Sequence, residues 1–342
     1  MRNILWFCGV LFIGAAIFLA WFVPGAWFMH PANGAPTFSI SIPAGSDASA
    51  VATRLADKGI IVSAAGYDFY SLLDSAARHP RAGDYQMTSG MSYRAAARML
   101  ALGPEREEVE VKLIEGWNLN EIGAALEKFG VSSTEFLALT ADASRDLQAN
   151  PEWRDEFPFL ASLPAHTSLE GYLYPNTYRV WKDQLPQGLI EKQLAEFQKT
   201  TTGMADQAAE QKRSFRDVLI LASIVEKEAT TPEDRKIVAG IYLNRLKLGM
   251  PLQSDATINY VTGAGRARPV LKDLEVSSPY NTYKHAGLPP GPICNPGAIS
   301  LDAALHPTQT DYLYYLHDDQ GKSYYAKTLQ EHIRNRAKAY GE

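Results

Sequence analysis

Leu219-Ile220-Leu221-Ala222-Ser223-Ile224-Val225-Glu226-Lys227-Glu228 is apolar for seven positions, apart from one serine, and then turns abruptly to charge. A helix that is apolar on nearly every side belongs inside a domain. This run therefore predicts a buried helix whose last turn carries a carboxylate to the edge of a core. Partial burial disfavours the charged form of a carboxylate, as a proton donor requires, so Glu226 is the candidate acid. Plain helix-surface charge is the other reading of a glutamate in that position. Ser223, Ala222 and Leu219 lie at i−3, i−4 and i−7 from Glu226, which makes its stripe small and apolar, while Glu228 is turned about 200° further round. The two glutamates cannot share one site. Thr231-Pro232-Glu233-Asp234 has capping-box order with proline at the first helical position. A new helix is expected from there to about Leu248, and the Glu226 helix ends between Glu228 and Thr230.

The 342 residues are 46% hydrophobic and 21% charged, enough for two folded domains. The formal charge is only −5, and no run of Lys or Arg is interleaved with aromatics, so nucleic acid is not an expected partner. From Ile4 to Val23 the chain carries no charge. A helix of that length spans about 30 Å, the thickness of a bilayer core. Pro24-Gly25 breaks it, Trp21, Trp27 and Phe28 cluster at that end, and after Arg2 no Lys or Arg follows until Arg54. That pattern predicts an uncleaved single-pass anchor in the cytoplasmic (inner) membrane, with its N-terminus in the cytoplasm and the rest exported to the periplasm. A cleaved signal peptide would normally have a shorter apolar region. The two cysteines, Cys8 and Cys294, cannot form a disulfide within the exported part. The seven histidines are scattered, and Glu331-His332 lacks the second histidine of a metalloprotease helix. No metal and no cofactor are expected.

Pro31 to Pro36 reads as a short stalk. A repeat at a constant offset of 71 follows it: Ser41-Ile-Pro-Ala-Gly45 leads to Val51-Ala52, Leu55, Gly59 and Ile60, and Lys112-Leu-Ile-Glu-Gly116 leads to Ile122-Gly123, Leu126, Gly130 and Val131. Each copy reads as a strand, a glycine turn, an amphipathic helix capped near Asp47 or Asn118, and a terminating glycine. Arg81 to Tyr85 and Met91 to Leu102 suggest a further strand and helix between the copies. Such units bury little alone and are expected to pack as one α+β domain. The second copy, with Gly116, Leu119, Ile122, Ser132 and Phe136-Leu137, also resembles a LysM glycan-binding module, although a packing unit that touches no sugar fits equally well. Asp311 to His317 and Lys322 to Lys327 flank Asp318-Asp-Gln-Gly321 as a hairpin, and a last helix starts near Leu329.

Four further stretches combine Tyr, Asn, Gln and Thr with rigid Pro/Gly loops: Ser168-Leu-Glu-Gly-Tyr-Leu-Tyr-Pro-Asn-Thr-Tyr178, Leu252-Gln-Ser-Asp255, Ser278-Pro-Tyr-Asn-Thr-Tyr283 and Gly287-Leu-Pro-Pro-Gly-Pro-Ile-Cys-Asn-Pro-Gly297. These side chains stack on sugar rings and bond to hydroxyl and acetamido groups. Together with Leu221-Ala-Ser-Ile-Val-Glu-Lys-Glu228 they resemble the endolytic murein transglycosylases of the YceG-like family, over nearly the whole chain. The resemblance implies a lyase that cuts the β-1,4 bond between N-acetylmuramic acid and N-acetylglucosamine in nascent peptidoglycan. It would leave 1,6-anhydro ends, terminate strand elongation, and work beside penicillin-binding-type synthases. Glu226 falls on the family's catalytic glutamate. Glu170, Gln253, Ser254, Asp255, Asn281, Tyr283 and Asn295 are candidate substrate-binding residues, though turn or cap hydrogen bonds explain them about as well.

The expected organisation is α+β throughout. Residues 1–30 form the cytoplasmic end and transmembrane anchor, 31–36 a stalk, 37–139 a LysM-like repeat domain, 140–167 a connector and 168–342 a mixed α+β catalytic domain. Two rival readings are a non-catalytic wall-binding scaffold of a synthesis complex and a wall amidase using Cys294 with His285, His306 or His332. A free cysteine between Ile293 and Asn295-Pro-Gly is more simply a small apolar filler.

Overall fold

The computed structural model describes residues 22–142, 150–151, 153–265 and 269–341. The expected anchor, residues 4–23, lies almost wholly outside them. Among the described residues no helix is long and apolar enough to cross a membrane. The fold is mixed α+β, and its described strands form three two-stranded antiparallel sheets. The chain divides between Arg106 and Glu107 into two compact units. The two repeat copies, expected together in a domain 37–139, therefore belong to different units.

In the first unit β1 (Thr37–Ile42) turns at Gly45 into α1 (Ala48–Asp57), followed by α2 (Ala64–Leu73), β2 (Gly83–Thr88) and α3 (Tyr93–Leu102). β1 and β2 pair from Thr37↔Thr88 to Ile42↔Gly83. Alternation along the strands sends Ile40, Ile42, Tyr85 and Met87 inward, where they meet Val51 and Leu55 of α1 and Leu100 of α3. Asp47 caps α1 by accepting from the Ala50 amide at 2.7 Å. The chain joins this core before the expected stalk. Phe22 and Ala26 are buried in it, and Pro24–Phe28 forms a turn of π-helix.

In the second unit β3 (Glu108–Lys112) pairs with β4 (Thr177–Trp181), and the second repeat copy continues into α4 (Leu119–Leu126). Asn118 and Glu121 close a reciprocal capping box at its start. Within the expected connector 140–167, Trp153, Phe157 and Leu160 are buried in the core. After α5 (Gln187–Thr200) comes α6 (Phe215–Glu228), buried without interruption from Val218 to Val225. Each such aliphatic side chain contributes roughly 1.5–3 kcal/mol, so packing decides this helix. It ends at Glu228, and α7 (Pro232–Lys247) begins behind its Thr231 cap, which accepts from the Asp234 amide at 3.1 Å. α8 (Asp255–Thr262), which the sequence pattern did not suggest, and α9 (Ala298–Leu305) follow, and α6 lies against both α7 and α9. The hairpin forms as its turn residues require, β5 (Tyr314–His317) against β6 (Ser323–Ala326), with α10 (Leu329–Tyr340) last.

Candidate active site

Glu226 stands in the last turn of α6 with its side chain only 5% exposed. Besides the small, apolar stripe expected beneath it, it has polar partners from outside its own helix. Arg235, one turn into α7, donates through Nη2 to Oε1 at 2.8 Å and through Nη1 to Oε2 at 3.5 Å, and the Gly297 amide donates to Oε2 at 3.0 Å. Arg235 is itself fixed, because its Nε donates to the Ala229 carbonyl at 2.9 Å. The short break between α6 and α7 thus folds the start of one helix back onto the end of the other. Both carboxylate oxygens are oriented by that fold.

Ser223, the one polar residue in the apolar run, ties a loop to this helix. Its hydroxyl accepts from the Ile293 amide at 3.1 Å while donating to the Ile220 carbonyl at 2.7 Å. Two residues on, Asn295 joins three segments. Its Oδ1 accepts from the Gly171 and Leu173 amides at 2.9 and 3.0 Å, and its Nδ2 donates to the Trp117 carbonyl at 3.0 Å and to Glu170 Oε1 at 3.2 Å. Its backbone also exchanges hydrogen bonds with Gly116 and Trp117. Glu170 is 2% exposed, and its Oε2 accepts from the Leu119 amide at the start of α4 at 3.1 Å. Burial above all pushes its carboxyl up to about 8. Glu170 and Asn295, expected to line a cleft, spend their polar atoms holding loops together.

Those loops deliver a carboxylate that sequence reasoning missed. The turn Glu115-Gly116-Trp117 is laid against Glu226: a Cβ at Gly116, where φ is +82°, would sit 3.3 Å from Glu226 Cγ. A Cβ at Gly297 would sit 2.1 Å from Glu115 Cδ. Glu115 and Glu226 therefore both lie against Gly297. Partial burial first, and the negative charge of Glu226 second, push the Glu115 carboxyl above its usual range, while Arg235 pulls it down.

Glu228 points to other partners, as the helical spacing requires. Its Oε1 accepts from the Ser254 hydroxyl, and its Oε2 accepts from Tyr315 at 2.8 Å, with the Tyr242 hydroxyl 2.7 Å from that of Tyr315. Burial raises the Glu228 carboxyl. Asp255 accepts from the Tyr283 hydroxyl beside this set. Asn281 is fully buried, donating to the Leu274 and Val276 carbonyls at 2.9 Å each and accepting from the Tyr283 amide at 3.0 Å. Of the seven candidate binding residues Gln253 is the exposed one, displayed on a left-handed backbone with φ +55° whose amide donates to the Thr282 carbonyl at 3.1 Å. Among the described residues none of these hydrogen bonds reaches Glu226.

A carboxylate at the end of a buried helix, pinned by an arginine of the next helix and by a proline/glycine loop, is found here within a chain that matches the YceG-like family model from residue 40 to 338. The chain belongs to the YceG-like family. A Bacillus subtilis protein named endolytic murein transglycosylase is 36% identical over 305 residues, which cover 88% of this chain and 84% of that protein. One of the same name from Streptococcus pneumoniae is 30% identical over 355 residues, covering 94% of this chain but only 64% of its own length, so the chain spans under two thirds of that relative. The crystal structure of a yceG-like protein from Listeria monocytogenes superposes with a TM-score of 0.57 at 34% identity, over 88% of this chain and 99% of that one.

In this YceG-like chain Cys294 is buried and donates to the Ser223 carbonyl at 3.2 Å. Burial pushes its thiol well above the ordinary range, the reverse of what a nucleophile needs. His306 is bonded instead to Asp302 and Gln207, and His332 stacks on Tyr314. In this sequence Glu115 shows only as part of a Glu-Gly pair and Arg235 only as a residue behind a capped helix break, and tertiary contact alone joins them to Glu226.

Proposed function

We propose that this chain is a membrane-anchored endolytic murein transglycosylase that cuts the β-1,4 bond between N-acetylmuramic acid and N-acetylglucosamine in nascent glycan strands, with Glu226 as its acid and base. The names of its relatives support the activity, and the observation that carries the assignment of Glu226 is its geometry. It is a nearly buried carboxylate, fixed in orientation by Arg235 and Gly297, with a second carboxylate beside it. In the proposed reaction Glu226 gives its proton to the leaving oxygen as the C1–O bond breaks. As carboxylate it then removes the proton from the muramic O6 hydroxyl, whose oxygen closes onto C1. The proton count balances, no water is consumed, and the product is a 1,6-anhydro end. The substrate's acetamide shields the oxocarbenium-like centre, which replaces the second carboxylate of ordinary glycosidases.

Gln253, exposed on its left-handed backbone, is proposed as a direct contact to sugar. Ser254, Asp255 and Tyr283 shape the wall through Glu228, and Glu170, Asn281 and Asn295 hold the loops that form it. The apolar N-terminal segment anchors the chain in the inner membrane with the remainder in the periplasm, beside penicillin-binding-type synthases. The second repeat copy is the LysM-like glycan contact. Mass spectrometry of glycan strands treated with the enzyme tests the chemistry: 1,6-anhydromuramyl ends are expected even in excess water. Products heavier by one water per cut would mean hydrolysis and overturn the mechanism.

Glu115 bears on the same proton. The charged and titratable groups around the pair are Arg235 from α7, Tyr174, Lys227 with its partner Glu121, and the buried Cys294. The raised Glu115 carboxyl keeps its proton to higher pH than an ordinary glutamate. Glu115→Gln should therefore change the alkaline limb of the kcat/KM profile, where that carboxyl loses its proton. Gly297→Ala should act on the same limb. Its φ of −79° suits alanine, but the new Cβ displaces the Glu115 carboxyl. A limb unmoved in both variants would remove Glu115 from the reaction.

A further inference from the structure

The first unit carries an apolar surface where the chain enters it. Phe69, Leu72 and Leu73 are three and four apart along α2, so they stand on one side of that helix. All three are exposed, Leu72 and Leu73 at 69% and 60%. Beside them lie Trp27 and Phe28, the latter 71% exposed. The two segments form one surface: the Phe22 ring packs edge-on against Phe69 at 5.0 Å and Trp27 against Tyr70 at 5.8 Å. Single exposed apolar residues are ordinary, but five large ones together mark an interaction site.

Two further observations say what covers it. The chain reaches this surface at Phe22, at the end of the uncharged run from Ile4 to Val23, and Phe22 and Ala26 are sunk in the unit's core. No free stalk separates that run from the fold. Arg94 and Arg98, exposed and one turn apart on α3, act electrostatically on Tyr70 and Asp74, which puts positive charge beside the apolar side chains. Aromatic and aliphatic side chains next to arginines suit the boundary between acyl chains and anionic head groups.

We infer that the first unit lies on the outer face of the bilayer through Trp27, Phe28, Phe69, Leu72 and Leu73, with Arg94 and Arg98 meeting anionic head groups. This rests on the reading of the N-terminal run as a membrane anchor. The unit is thereby held against the membrane in one orientation instead of swinging on a tether.

The test uses the full chain, lacking both native cysteines, in vesicles of phosphatidylethanolamine and phosphatidylglycerol. Nitroxide labels are placed at Leu72→Cys, Leu73→Cys and, on an exposed position of β2, Gln86→Cys. Labels at 72 and 73 are expected to collide several-fold more with oxygen, which concentrates in lipid, than with an aqueous nickel chelate, and the label at 86 the reverse. If the chain floats with the vesicles and the labels at 72 and 73 are as wet as that at 86, the inference is wrong while the anchor stands. If the chain does not float with the vesicles, the anchor reading fails and takes the inference with it. Should either labelled variant lose its cooperative melting, Phe28→Cys supplies the same measurement.

Discussion

Glu226→Gln is expected to lose about 10²–10⁴ in turnover, the usual worth of a positioned general acid-base group. The amide has the shape of the carboxyl and can still accept from the Gly297 amide, but it donates no acidic proton. The same substitution strands Arg235, whose side chain is 10% exposed and whose only anionic partner among the described ion pairs is Glu226. Removing one member of a buried pair costs on the order of 3–5 kcal/mol, so the single variant should melt earlier than the parent. Stability and chemistry are separated by the double variant Glu226→Gln, Arg235→Gln, which leaves no unpaired charge. It should regain part of the lost stability and none of the lost turnover. Circular dichroism and product release on both proteins decide the matter. A folded single variant keeping more than roughly a tenth of the parent rate would end the role of Glu226 as sole acid and favour the scaffold reading.

What the sequence made legible was local. The apolar run around Leu221, the Thr231 cap, the glycine-ended repeat units and the Asp318–Gly321 turn all follow from periodicity and capping within a few residues, and each stands where expected. Partners across the fold were not legible. Arg235 lies nine residues from Glu226 and reaches it only because the break at Ala229 to Thr231 reverses the chain. Glu115 is brought over by a pairing of the 115–117 turn with the 295–297 loop, which no spacing announces. Asn281 and Asn295 show why loop polarity reads two ways. Polar side chains in Pro/Gly-rich loops read as ligand contacts, but a loop folded into a core must satisfy its own amides and carbonyls, and these asparagines do so. The two repeat copies pack in different units because two copies of one local design need not share a core: Ile42 packs in the first unit and Leu113 in the second.

Glu170 sets the largest expected effect on stability. Its carboxyl is raised from 4.5 to about 8. The folded protein therefore keeps a proton that the unfolded chain releases above about pH 4.5, and the unfolded state binds fewer protons across that window. The sign follows from linkage: the contribution is fully present below pH 4.5 and is lost as pH rises toward 8. At 1.36 kcal/mol per unit the full loss is on the order of 5 kcal/mol. Glu170→Gln, neutral at every pH, should remove that slope. Glu115 and Glu228 are raised as well and tilt the parent's stability in the same direction, so the difference between parent and variant is what isolates Glu170. Urea midpoints at pH 5 and pH 8.5 for both proteins measure it, and parallel pH dependences would show that Glu170 does not titrate there. The consequence reaches the site through Asn295 and Leu119, both of which donate to Glu170. Both donors favour the carboxylate, so the cost of ionising Glu170 is that of a charge desolvated among the segments that carry the 115–117 turn and the 295–297 loop. Alkaline loss of activity in the parent should therefore have two origins, the proton on the raised Glu115 carboxyl and the loss of stability around Glu170, and only the second should disappear in Glu170→Gln.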